Sequence, residues 1–107
     1  MATNPNVTMT INQSQRDIVS VCDAIKELLL QKNAAYGDSA LSPLRIFSRA
    51  DPVAQIMVRI DDKLSRLSRG HALPDETLDA TVDDLIGYLV LLKVARQRLA
   101  DAYVLAG

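Results

Sequence analysis

Apolar residues recur along most of this chain at the spacing of a helix face. From Ile18, the positions Val21, Cys22, Ile25, Leu28 and Leu29 follow an i, i+3, i+4, i+7 rhythm, which puts them on one side of a helix. Ser14 is the expected N-cap, Asp17 the expected acidic residue of the first turn, and Tyr36-Gly37-Asp38-Ser39 the stop. Together they predict a first helix over 14–35, with Cys22 as a small buried hydrophobe on its inner face. Asp51-Pro52 is a cap followed by a proline suited to the first helical position. Behind it Val53, Ile56, Met57, Ile60, Leu64 and Leu67 form a narrow apolar stripe ended by Gly70, which predicts a second helix over 52–69. After the loop His71-Ala72-Leu73, the run Pro74-Asp75-Glu76 opens a third, whose stripe is Leu78, Val82, Leu85, Leu89, Leu92 and Arg96, over 75–103.

Two stretches lack this rhythm. Residues 1–13 are polar, and their alternating segment Val7-Thr8-Met9-Thr10-Ile11 has no strand to pair with, so a flexible leader is expected, with a single helical domain over 14–107. Ser42-Pro43 resembles the Asp51-Pro52 device and predicts a short helical piece from Leu44 to about Arg49. All three main stripes need a partner, and an antiparallel all-α bundle of three main helices plus the short one supplies it. The third helix is also apolar off its stripe, at Ile86, Val90, Leu91 and Val94. Two apolar faces on one helix point to a second partner, and another copy of the chain is the simplest one, so a homo-oligomer through this helix is expected.

Composition narrows the functional classes. With 107 residues, 49% hydrophobic and 23% charged, the chain has the balance of one globular domain. Tyr36, Phe47, Tyr88 and Tyr103 are its aromatic residues, so the core is aliphatic. A net charge of −1 lacks the bulk positive charge of a direct nucleic-acid binder. One cysteine forbids an intramolecular disulfide and offers no zinc-ligand spacing. The longest uninterrupted apolar run, Leu89 to Leu92, is far short of a membrane span, and no signal peptide is recognisable. A cytoplasmic domain is the expectation.

Candidate chemistry lies in two charged clusters. Arg59, Asp62, Lys63 and Arg66 share one side of the second helix, beside its apolar stripe. Asp75, Glu76, Asp79, Asp83 and Asp84 put five acids into ten residues of the third. Asp75 and Glu76 suit a helix N-terminus; Asp83 and Asp84 lie two turns further in, where the dipole has faded. Glu76, Ala80, Asp84 and Tyr88 trace one i, i+4 line. A carboxylate line facing a basic line can be mutual salt bridging, or a site where carboxylates hold Mg²⁺ and Arg and Lys hold phosphate oxygens. His71 has no second imidazole or cysteine and reads as a loop residue. Ser39 and Ser42 lack a nearby base, and the glycines are too scattered for a phosphate loop. Gly87, inside the third helix, costs about 1 kcal/mol against Ala and suggests close approach of another helix or of a ligand beside Tyr88.

Three blocks carry a family resemblance: Lys32-Asn33-Ala34-Ala35-Tyr36-Gly37-Asp38-Ser39; Arg59-x-x-Asp62-Lys63-x-x-Arg66-Leu67; and Asp75-Glu76-x-x-Asp79-x-Thr81-x-x-Asp84-Leu85-x-x-Tyr88. Across roughly residues 20 to 95 they resemble the phage and prophage nucleotide-modification-associated domain family, itself similar to the MazG-like all-α nucleoside triphosphate pyrophosphohydrolases. The resemblance implies an oligomeric helical bundle that binds a nucleoside polyphosphate with Mg²⁺ and hydrolyses it to the monophosphate, in a bacterial host's cytoplasm. It implies Asp62, Glu76 and Asp84 as catalytic carboxylates, and Asp62, Glu76, Asp79 and Asp84 as metal ligands. Lys32, Tyr36, Gly37, Arg59, Lys63, Arg66 and Tyr88 become substrate-binding residues. Two departures bear on catalysis. Ala80 stands where the family pattern has a carboxylate, and the second helix carries only Asp61-Asp62 where the pyrophosphohydrolases have a longer acidic block. Both imply a degenerate metal site. Three readings follow: a Mg²⁺-dependent pyrophosphohydrolase, a nucleotide-binding or sequestering protein without turnover, and a non-catalytic helical oligomer or adaptor whose charged lines are salt bridges.

Overall fold

A computed structural model of the chain describes residues 11–45, 47–69 and 77–106. Among them the fold is all-α, with α1 over Gln13–Ala35, α2 over Pro52–Ser68 and α3 over Leu78–Ala106, and no strand. The leader's first ten residues, His71 with its loop, and Asp75 and Glu76 lie outside the described residues.

Helix α1 starts earlier than expected. Asn12, not Ser14, is its N-cap: Asn12 Oδ1 accepts from the Gln15 backbone N–H at 2.8 Å, and Gln15 Oε1 accepts from the Asn12 N–H at 2.9 Å. This reciprocal box satisfies two donors at once, and draws Gln13 out of the leader and into the helix. Asp17 consequently falls beyond the first turn, where it accepts from Gln13 Nε2 at 2.8 Å. Helix α2 is capped as expected, with Asp51 Oδ1 accepting from the Ala54 N–H at 2.8 Å and Pro52 opening the helix. Thr77 Oγ1 accepts from the Ala80 N–H at 3.0 Å at the head of α3. With no proline or glycine between Tyr88 and Ala106 to stop it, α3 runs to Ala106, three residues beyond the expected 103.

The short helix expected at 44–49 does not form among the described residues there. Phe47 is 99% exposed and Leu44 is exposed as well, so neither side chain is packed to hold a turn in place. The Arg45 guanidinium instead donates to the carbonyls of Arg49 and Ala50, at 3.1 and 2.9 Å, and ties the segment as a loop.

Helices α2 and α3 make most of the packing, and α1 meets α3 over a shorter stretch. Ile56, 1% exposed, is the deepest side chain of α2, flanked on its inner face by half-buried Val53, Ile60, Lys63 and Leu67. The inner face of α3 reads Thr81, Asp84, Leu85, Tyr88, Leu91, Leu92 and Ala95, with Thr81 and Ala95 buried. This corrects the expected stripe: Leu78, Val82 and Leu89 are exposed on another side. The buried Thr81 hydroxyl donates to the Thr77 carbonyl at 3.2 Å, so its place inside leaves no polar atom unpaired. Cys22 is also corrected. It is exposed, as are Val21 and Ile18, the latter at 61%, and no residue of α1 is buried. The residues of α1 that α3 partly covers, Ile25, Leu28, Leu29, Lys32 and Asn33, lie in its second half.

Because Ile56 is the best-covered side chain, its truncation should be felt. Ile56→Ala is expected to destabilise the fold by about 2–4 kcal/mol in urea unfolding, as cavity-forming core substitutions do. Val58→Ala, one turn-face away and exposed, should stay within about 0.5 kcal/mol of the parent.

Candidate functional site

The last turns of α1 run antiparallel to α3. Lys32 meets Asp84, and Leu29, nearly one turn back, meets Gly87, nearly one turn on. A Cβ built on Gly87 would lie 3.4 Å from Leu29 Cδ1, so the bare backbone of α3 opens space beside α1 without being forced to by a clash. That space is part of a pocket of about 420 Å³. Its wall is apolar, from Ile25, Leu28, Leu29 and Leu91. Its polar lining comes from Lys32, Asn33 and Tyr36 of the α1 end, Ser39 of the following turn, Arg59 of α2, and Asp83, Asp84 and Tyr88 of α3. The volume lies within the usual span of small-molecule sites.

Beside the pocket, one carboxylate joins three helices. Asp84 Oδ1 accepts from Lys32 Nζ at 2.7 Å, and Asp84 Oδ2 pairs with Lys63 Nζ at 3.0 Å. The Lys63 side chain is only 12% exposed and that of Asp84 22%, while Lys32 is more open to water. Burial pushes the Asp84 carboxyl toward its neutral form. The hydrogen bonds and positive charges of Lys32 and Lys63 outweigh that and hold it below the ordinary aspartate value.

The residues expected in a site divide into several places. Lys32, Tyr36, Arg59, Asp84 and Tyr88 share the pocket lining. Lys63 reaches it through its ion pair with Asp84. Arg66 pairs along α2 with Asp62, Nε to Oδ2 at 3.2 Å, away from the pocket lining. Gly37 has a left-handed φ of 61° in the turn after α1 and does not line the pocket. Asp79 is exposed, and Glu76 lies outside the described residues. Among the described residues no three His, Cys, Asp or Glu side chains are grouped closely enough to hold a metal ion. Of the expected Mg²⁺ set, Glu76 lies outside the described residues, Asp79 is exposed, Asp62 is paired with Arg66, and Asp84 with Lys32 and Lys63. Arg59, unlike the lysines, has no ion-pair partner among the described residues. Asn33 is a lining residue that charge and apolar periodicity did not single out, and Asp83, noted in the acidic cluster, was not among the expected substrate-binding residues. Their places in the Lys32-Asn33 and Asp83-Asp84 pairs, next to expected site residues, were the available signal.

Compared with protein-family models, curated proteins and solved structures, the chain matches none. The resemblance to the phage family therefore rests on the three motif blocks alone. Among the described residues no helix is long and apolar enough to cross a membrane.

The paired Asp84 sets a pH dependence. Its folded pKa is depressed, so its contribution to stability is complete above the unfolded aspartate value of about 3.9 and is lost as pH falls through the lower folded value. Asp84→Asn is expected to cost about 1.5–3 kcal/mol at neutral pH, the scale of hydrogen bonds to charged groups. The gap between parent and variant should hold steady down to about pH 5 and close in more acidic solution, measured by urea unfolding across a pH series.

Proposed function

We propose that this protein binds a nucleoside polyphosphate in the pocket between α1 and α3. The observation that carries the reading is convergence. Lys32 and Tyr36, Arg59, and Asp84 and Tyr88 come from three motif blocks far apart in the sequence, and all line one pocket. Arg59 and Lys32 offer cations to phosphate oxygens. Tyr36 and Tyr88 offer aromatic surface to a base, and the leucine wall excludes water from its far side. The same blocks carry the resemblance to the phage family and, through it, to the MazG-like enzymes.

Binding, rather than turnover, is the part that the described residues support. Their carboxylates do not fit a Mg²⁺ site, since Asp84 is already neutralised by two lysines and Asp62 by Arg66. Ala80 supplies no carboxylate on that face of α3. The reading thus favours a nucleotide-binding or sequestering protein over a pyrophosphohydrolase, and no step is routed through a metal.

A thermal-shift panel of ribo- and deoxynucleoside triphosphates, with and without Mg²⁺, tests this directly. A bound nucleotide should raise apparent stability by about 2.7 kcal/mol at a hundredfold excess over Kd. Arg59→Ala should weaken that binding by about 1.5–3 kcal/mol while leaving the ligand-free protein within about 0.5 kcal/mol of the parent. Gly87→Ala separates fold from function. The methyl should raise ligand-free stability by up to about 1 kcal/mol through helix propensity, yet narrow the pocket and reduce nucleotide affinity. No shift with any nucleotide would refute the reading.

A second reading is favoured by the exposed apolar residues of two helices, and it is compatible with the first. Ile18 and Val21 of α1 and Leu78, Leu89 and Leu99 of α3 are about half exposed or more. We propose that copies of the chain associate through α3, with the uncovered half of α1 joining the contact. Sedimentation equilibrium at tens of micromolar protein should return a mass above the 11.7 kDa of one chain; a monomer at that concentration contradicts it.

A further inference from the structure

Asn33 lines the pocket from the last turn of α1, and its side chain is held in one orientation by Asp38. Asn33 Nδ2 donates to Asp38 Oδ1 at 2.8 Å. A carboxylate accepts hydrogen bonds and does not donate them, so the contact decides which way the amide faces: Nδ2 toward Asp38, Oδ1 away from it. Oδ1 has no protein partner among the described residues.

Asp38 is itself fixed from several sides. Its N–H donates to the Asn33 carbonyl at 3.1 Å, and its own carbonyl accepts from the N–H groups of Leu41 and Ser42, at 3.2 and 2.9 Å. Its second carboxylate oxygen accepts from Ser42 Oγ at 3.3 Å. Asp38 also holds a φ of 62°, a left-handed conformation uncommon outside glycine, though less so for Asp and Asn. The segment thus retains a costly conformation in which the carboxylate grips the Asn33 amide beside a cavity.

We propose that Asn33 is a specificity-determining residue of this pocket, positioned by Asp38, and that its Oδ1 accepts from an N–H at the edge of a planar heterocyclic base. The inference rests on the nucleotide reading and assigns the two ends of the ligand. The unpaired Oδ1 repels phosphate oxygens and suits an N–H donor, whereas Lys32 and Arg59 suit the polyphosphate. The Asn33 end of the pocket takes the base. The remaining Nδ2 hydrogen can donate to an acceptor next to that N–H, the two-point match by which carboxamides read bases.

The test is isothermal calorimetry on the full chain with the common deoxynucleoside triphosphates and with inorganic tripolyphosphate. Parent protein should discriminate among the bases. Asn33→Ala should weaken the best nucleotide about tenfold, change tripolyphosphate binding by no more than about twofold, and level the preference among bases. Asp38→Asn keeps the size and the left-handed tolerance, but its amide can donate as well as accept. The Asn33 amide is then free to turn over, and base preference should fall with a smaller loss of affinity. A wild-type amide measurement covers the case in which a variant does not fold: the Asn33 side-chain NMR signals should shift with the best nucleotide and stay put with tripolyphosphate. Nucleotide binding with Asn33→Ala equal to the parent, equal losses for nucleotides and tripolyphosphate, or unmoved Asn33 signals overturn the assignment while leaving nucleotide binding intact. A parent protein that binds tripolyphosphate but no nucleotide better, or binds neither, overturns both.

Discussion

Asp84 on α3 takes Lys32 from α1 through one carboxylate oxygen and Lys63 from α2 through the other. Little else ties α1 to the rest of the chain, because α1 has no buried residue and meets α3 only toward its C-terminal end. The position of α1 is what creates the pocket: without it, Arg59, Asp83 and Tyr88 would lie on an open surface of the α2–α3 pair. One charged contact therefore does for α1 what apolar packing does for α2. Buried charge is costly unless matched, and here each oxygen of the Asp84 carboxylate has a lysine ammonium within ion-pair distance.

The local signals that build helices were largely legible in the sequence. Asp51-Pro52 and the Ile56 stripe define α2 because cap chemistry and burial agree there. Face selection on α3 was not legible. Apolar periodicity favours Leu78, Val82 and Leu89, but the inward face begins with Thr81 and Asp84, whose polar atoms are satisfied by the Thr77 carbonyl and by two lysines. Periodicity discounts polar residues, and it cannot see the partners that make their burial affordable. The same limit applies to Cys22. A stripe shows which side of a helix is apolar, not whether the chain has anything left to cover it with.

The candidate site was legible in outline for a related reason. Arg59, Lys63 and Asp84 were singled out as opposed charged lines, and two of the three do meet as an ion pair. The basic residues do not act as one line: Lys63 and Lys32 pair with Asp84, while Arg59 has no ion-pair partner among the described residues. Asn33 stood within the first motif block without a role, because an uncharged amide stands out neither by charge nor by apolar spacing. Only the contact to Asp38, five residues on, shows that its amide is committed on one side and free on the other. Gly87 belongs to the same logic: an alanine there would serve the helix better, and the space its hydrogen leaves is pocket.

The central claim is that Asp84 is held as a carboxylate between two lysines. A carboxyl-carbon NMR titration of Asp84 in the intact protein tests it most directly. The account predicts a midpoint below that of an ordinary aspartate, with the Lys32 and Lys63 side-chain signals moving in step with it. A midpoint at or above the ordinary aspartate value, or lysine signals indifferent to the transition, would contradict it.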